Sequence, residues 1–465
     1  MSVLPVGFGS SGGLQITNSV RLRAAASAYF SRTFGAPTTQ NTFTYSTWFK
    51  SAGTAVRQVL LSNSTGTEQF YIEITTGIIK FFKNPTTYSS TAVLRDPSAH
   101  MHIVMNSNGT TLNVWVNNQL LLTQAVVPAS LNGNGVIHYL GRDNSTNHAD
   151  GVQSDPYWVD GQALTPSSFG ETDSNGVWVP KAYTGTYGTN GFHLDFKDAA
   201  LTAGSNVGLG KDVSGNGNYW TTNNISVTAG VTYDSMVDTP TNNYATLNPI
   251  IASAANISYA ALRSGTTAVQ GTQEATAFAG AYWEVTAAGS AVTAGTISGT
   301  GTTNTTTVTA NKVFGFRLTS GGALDYINIT DAGSWTSITT GLSAQQFPYG
   351  ITQAADWNFG QRPFIGTASG KALCTANLPN GSVTTSGSFT GTLAADGPVV
   401  WLNGCPTAMT INGNAVTFGT HADKTAGGFK LRTASASYNN TGSNTYSVST
   451  NAGRFNIPQT AQGNP

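Results

Sequence analysis

Charge is what this chain of 465 residues has least of: Asp, Glu, Lys and Arg make up 9% of it, where roughly a quarter is usual in soluble proteins. Its 21 basic and 21 acidic residues cancel. With no net field to draw in a phosphate backbone or an anionic lipid surface, neither nucleic acid binding nor membrane insertion is expected. Only two cysteines are present, Cys374 and Cys405, too few for a disulfide framework and without C-x-x-C spacing. They read as two separate core thiols, or as one bridge joining adjacent modules. No apolar run approaches the roughly eighteen residues of a membrane span, and the opening MSVLPVGFGSSGG lacks the basic and apolar regions of a secretory signal, so Sec export is not expected. Glutamates are confined to positions 68, 73, 171, 274 and 284. Glycoside hydrolysis needs two facing carboxylates, and no obvious pair exists, so an enzyme is not expected.

What is present is glycine, threonine, asparagine and aromatic residues, with 53 Gly, 17 Tyr, 21 Phe and 9 Trp. Solvated helical faces are built from Lys, Glu and Arg, whereas Thr, Val and aromatics favour pleated strands and Gly, Asn and Ser favour turns. The chain therefore reads as all-β, and its length asks for two or three domains. In NTFTYSTWFK (41 to 50), Phe43 and Tyr45 alternate with Thr and Ser, the period of a strand buried on one side, while Trp48 falls out of that phase. QFYIEI and GIIKFF predict a hairpin with Gly77 at its turn. Residues 100 to 122 predict a meander, reversing at Asn108-Gly109 and again at Asn117-Asn118.

His100 and His102 lie two apart on one predicted strand face, a spacing that suits cross-strand packing better than a zinc site lacking a third donor. GRDNSTNHADGVQSD (141 to 155) gathers Asp143, Asn144, Asn147, Asp150 and Asp155. Calcium takes about six to eight such hard oxygens, yet the same residue types form turns for local reasons. KDVSGNGNYW (211 to 220) reads as a tight glycine turn and not a phosphate loop, since no Lys-Ser/Thr follows. Tyr157, Trp158 and Trp178 are of the type that stacks on sugars, but packing is their first reading.

Several of these stretches together resemble a known family. SVRLRAAASAYFSRTF (19 to 34), FTYSTWFK, VWVNNQLL, HYLGRDN and YWVDGQALTPSSFGETDSNGVWVPKAY (157 to 183) resemble the laminin-G-like, concanavalin A-like lectin domains of bacteriophage virion proteins. GAYWEVTA (280 to 287) and DWNFGQRPFIGTASGKALCTANLP (356 to 379) are similar to the outer strands of SPRY-like sandwiches. The resemblance implies tandem β-sandwiches, a concanavalin-like jelly roll and then a SPRY-like sandwich, with a small C-terminal β module. The expected divisions are an N-terminal arm (1–14), the lectin domain (15–195), a connector (196–250), the SPRY-like sandwich (251–380) and the last module (381–465). The implied function is that of a virion structural protein, a tail fibre or adhesin contacting host surface glycan, assembled in the host cytoplasm and exposed on the particle.

Its implied partners are other virion proteins and further copies of itself, as a trimer. A capsid decoration or head-fibre protein is the second reading, and a polysaccharide depolymerase the third. Related domains bind calcium beside the sugar, which makes Asp143 and Asp150 the expected metal ligands and Asp143, Asn144, Asn147 and Asp150 the expected ligand-binding set. Val3, Leu4, Val6 and Phe8 would let the arm dock into a neighbouring subunit, unless it frays as termini do.

Overall fold

The computed structural model describes residues 13–378, apart from 52–56, 74–75, 95, 174–175, 248–262, 265–267, 279 and 352–353; beyond 378 it describes the strands alone. The expected docking residues Val3, Leu4, Val6 and Phe8 lie outside the described residues. The chain is all-β and divides into two compact units, residues 2–378 and 379–465.

The first sandwich has two antiparallel sheets. One runs in the order β10 (Gln119–Gln124), β9 (Leu112–Val116), β8 (Met101–Asn108), β3 (Thr42–Ser51), β12 (Gly151–Asp160), β1 (Ser19–Leu22) and β17 (Ser235–Met236), with β15 (Phe192–His193) also paired to β12. The other runs β16 (Thr221–Asn223), β2 (Tyr29–Thr33), β11 (Ile137–Leu140), β4 (Gln58–Asn63), β5 (Glu68–Ile72), β6 (Ile78–Lys83) and β7 (Thr86–Val93). Between them lies a core of Phe30, Phe34, Phe43, Tyr45, Phe49, Phe70, Phe81, Trp158 and Trp220. The predicted period-two pattern of β3 is present, with Phe43, Tyr45 and Phe49 all inward.

Trp48 points the other way and is still buried, 5% exposed, because this sheet's outer face is covered. The segment after β12 folds back over it and carries a small hairpin of β13 (Gly170–Thr172) and β14 (Trp178–Pro180). Trp178 stacks on His102, which stacks on Trp48, with ring centroids 6.0 and 4.8 Å apart. Gly170 makes room for this arrangement, since a Cβ there would run into the Trp178 indole. Further along the same face, Tyr157, Val159 and Phe169 pack with Tyr183 and Tyr187.

Residues 196–250, expected as a connector, contribute more than a link. β16 pairs with β2 and β17 with β1, so each sheet takes one edge strand from this segment. Asp234, fully buried, accepts from the Arg21 and Arg23 guanidinium groups at 3.1 and 2.6 Å. Lys50 Nζ donates to Asp238 Oδ2 at 2.8 Å, to Asn243 Oδ1 at 2.7 Å and to the Tyr244 carbonyl at 3.0 Å. Such pairs survive burial only when their remaining hydrogen-bonding groups also find partners.

The second sandwich sets a six-stranded sheet against a four-stranded one, with Trp283, Phe316 and Trp357 in its core. Glu284, on strand Ala281–Ala287, is buried and binds the loop that follows the last strand. Its carboxylate accepts from the backbone N–H of Ile365 and Gly366 at 3.0 and 2.8 Å and from the Tyr282 hydroxyl at 3.1 Å. Burial pushes its pKa up, and these donors oppose the rise. Cys374 is a buried free thiol; the side chain of Cys405 lies outside the described residues. The unit after residue 378 has a four-stranded and a three-stranded sheet.

Candidate functional site

One sheet of the first sandwich is covered, which leaves the outer face of the other. Residues directly opposite one another on neighbouring antiparallel strands share a face. One such row crosses the sheet through Thr221, Ser31, Tyr139, Ser62, Gln69, Phe82 and Thr87. Tyr29 stands two residues from Ser31 on the same face, beside Asn223. Both tyrosines are half-buried, and each follows or precedes a core residue, Phe30 or Leu140. Their rings meet edge to face with centroids 5.8 Å apart.

Over this pair folds the loop from Gly141 to Ala149. It is a tight hairpin, with a bridge between Arg142 and His148 and backbone bonds from Asp143 N to Asn147 O and from Ala149 N to Gly141 O. Asp143 builds it from within. Its Oδ1 accepts from the N–H of Ser145 and Asn147 at 2.8 and 3.1 Å, and its Oδ2 from Asn147 Nδ2 at 2.5 Å. The carboxylate is 2% exposed and faces inward. The loop therefore presents Arg142 and His148 outward: the Arg142 Cζ lies 4.7 Å from the Tyr29 ring centroid and 4.9 Å from that of Tyr139. His148 lies 6.0 Å from Tyr29.

The residues singled out from the sequence fall out as follows. Asp143 and Asn147 come together, as a turn. Asn144 is exposed and leans over Gly66 of the neighbouring turn, so the two rim loops touch. Asp150 begins the return to β12, its backbone N–H bound to Gln58 Oε1 at 2.7 Å, and its charge acts on Arg21. Asp155, expected in the loop, is instead within β12, at a register shift and with a φ of +52°. There its Oδ1 meets His193 Nε2 at 2.5 Å on the covered face. Sequence reasoning missed Tyr29, Tyr139, Arg142 and His148.

Calcium fits this donor set poorly. The Asp143 oxygens already face three N–H groups, and among the described residues no three His, Cys, Asp or Glu side chains converge as a metal set. His100 and His102 do share a face, where His102 Nε2 bonds Ser46 at 2.8 Å and His100 Nε2 bonds Asp238 at 3.2 Å. The 211–220 turn is organised by Asp212, which accepts from the N–H groups of His193, Ser214 and Asn218.

Residues 23–168 match the family model for the concanavalin A-like lectin/glucanases superfamily, of laminin G type. No curated protein matches the chain. Among solved structures, a candidate carbohydrate-binding protein of Bacteroides ovatus is 15% identical over 45% of this chain and 59% of its own, with a TM-score of 0.36. The chain thus spans under two thirds of that protein. The SAP-like pentraxin of Limulus polyphemus is 13% identical over 33% of this chain and 80% of its own, TM-score 0.27. Domains LG4-5 of the mouse laminin α1 chain are 9% identical over 80% of this chain and 90% of their own, TM-score 0.27. Residues 23–168 are thus similar to laminin G-type, concanavalin A-like lectin domains.

Proposed function

We propose that this protein is a glycan-binding adhesin of a bacteriophage particle, a tail fibre or related surface component, which holds sugar without transforming it. The observation that carries the glycan reading is the open sheet face at Tyr29 and Tyr139. Two half-buried rings lie there beside Ser31, Thr221 and Asn223, under a loop braced from inside. Sugar rings offer apolar C–H faces to aromatics and hydroxyls to neighbouring polar groups, and a shallow open sheet suits weak, repeated contacts. Multiple copies on one particle would turn such contacts into firm attachment. The virion assignment rests on the resemblance of residues 157 to 183 to phage structural proteins, and with it go exposure on the particle, trimers and a SPRY-like identity for the second sandwich.

The test is a glycan array probed with the full chain and with Tyr139→Ala. Wild-type signal on bacterial surface glycans, reduced several-fold or more by the substitution, is expected. A chelator should leave it unchanged, because Asp143 serves the turn. Silence across the array would transfer the weight to capsid decoration or a head fibre. That second reading has its own observation: Leu201, Val207 and Val213, 40%, 41% and 37% exposed, lie on one loop where a virion protein could cover them. Immunogold labelling of particles would place the chain on tail or head.

A further inference from the structure

We propose that the patch of Tyr29, Tyr139, Arg142 and His148 takes an acidic sugar, with Arg142 gripping the carboxylate of a uronic- or sialic-acid-type residue. This deepens the glycan reading and rests on it. Arg142 is fixed before any ligand arrives: its Nε donates to the Asp143 carbonyl at 2.6 Å, its Nη2 to the Ser145 carbonyl at 3.1 Å, and the plane rests on two tyrosine rings. A guanidinium so held loses little freedom on binding. Its remaining N–H groups have no partner among the described residues and are not closed off from solvent.

The charge around it is unbalanced. Arg21, Arg23, Arg57 and Arg317 each have a carboxylate within 4 Å, whereas Arg32 donates to the Tyr219 carbonyl and Asn218 Oδ1 and Arg362 to the Trp357 carbonyl. Arg142 has no such carboxylate among the described residues. The acid beside it in sequence, Asp143, points inward and is consumed by the turn, while Asp150 acts on Arg21. His148 adds a second polar atom. Its Nδ1 lies 3.1 Å from the Thr146 carbonyl, which can only accept, so Nδ1 carries the proton and Nε2 is an acceptor, suited to a sugar hydroxyl and not to the carboxylate. In a chain with no net charge, attraction for an anion has to be local, and a planar fork matches a carboxylate by two parallel hydrogen bonds.

The experiment measures binding of the full chain to polygalacturonate, alginate and polysialate, each beside its carboxyl-reduced form, with dextran, galactan and dextran sulfate alongside. At least one acid should bind, and reduction of its carboxylates should weaken binding roughly tenfold or more. Arg142→Gln should cost the same factor on the acid and several-fold less on the reduced polymer; Arg142→Lys, with the charge but not the fork, should fall between. Equal binding of acid and reduced forms, an unaffected Arg142→Gln, or binding of dextran sulfate alone would overturn the acidic-sugar assignment. Binding of dextran or galactan in preference to every acid would do the same while leaving the glycan reading intact. Failure to bind any of these polymers would overturn both.

Discussion

His102 shows what a covered sheet face does to a single residue. The Trp178 indole N–H, which can only donate, points at Nδ1 from 3.0 Å, so Nδ1 is the acceptor and Nε2 carries the proton to Ser46. Protonation would set two N–H groups against each other in a dry stack of three rings. Burial accordingly pushes the pKa of His102 down to about 3. His138, stacked on Phe34 at 3.9 Å, is held at about 4 by burial, despite carbonyl partners that favour its cation.

In the unfolded chain both titrate near pH 6.5, so below that pH the unfolded state binds more protons and stability falls with pH. Each histidine should contribute about 2 kcal/mol of loss by pH 5, a window set by the unfolded value above and the folded values below. Unfolding free energies from urea melts at pH 7 and pH 5 would show this drop, and in His102→Gln it should shrink by about 2 kcal/mol, the drop that remains belonging to His138 and to buried His100, whose pKa is lowered as well. An unchanged difference in that variant would mean His102 is not held neutral.

At the scale of elements, turns written into adjacent residues were readable and pairings between distant ones were not. The meander of β8, β9 and β10 forms where Asn108-Gly109 and Asn117-Asn118 predict it, with Asn117 and Asn118 at φ of +46° and +66°. Their roles differ. Both are exposed, but Asn117 Oδ1 accepts the His102 backbone N–H at 2.9 Å, whereas the Asn118 side chain makes no hydrogen bond among the described residues. Asn117→Gly should therefore cost about 1 kcal/mol, and Asn118→Gly at most a few tenths, since glycine suits the left-handed turn and only the first change loses a hydrogen bond. Denaturant unfolding of the two variants would separate them, and equal costs would show that the side-chain bond contributes nothing.

Asp155 misled because Asp-Pro between polar residues reads as a turn, while the chain uses it as a bulge inside a ten-residue strand. β16 and β17, of three and two residues, are too short to carry a period. The open patch was hidden for a related reason. Tyr29 and Tyr139 meet only because β11 lies beside β2. The local signal was an aromatic at the solvent-side position of each strand, next to Phe30 and Leu140, where Ser or Thr is the usual choice.

For the whole molecule, the question is where the lectin sandwich ends. The family match stops at residue 168 and the sequence reading at 195, but the physical unit runs further. Trp220 is 2% exposed in the core shared by both sheets, and Arg21, 1% exposed, depends on Asp234. Losing the aromatic costs roughly 3–5 kcal/mol. Stranding a buried guanidinium costs about as much again, and a domain has only about 5–15 kcal/mol in all. A fragment of residues 13–195 should therefore fail to fold cooperatively, with ANS binding and no near-ultraviolet circular dichroism, whereas 13–244, which keeps Asp234, Asp238 and both edge strands, should melt in one transition. If the shorter fragment melted as sharply as the longer, residues 196–244 would be a connector after all, and the hydrogen bonds from Lys50 to Asp238 and Asn243 would be a contact between neighbours, not part of one core.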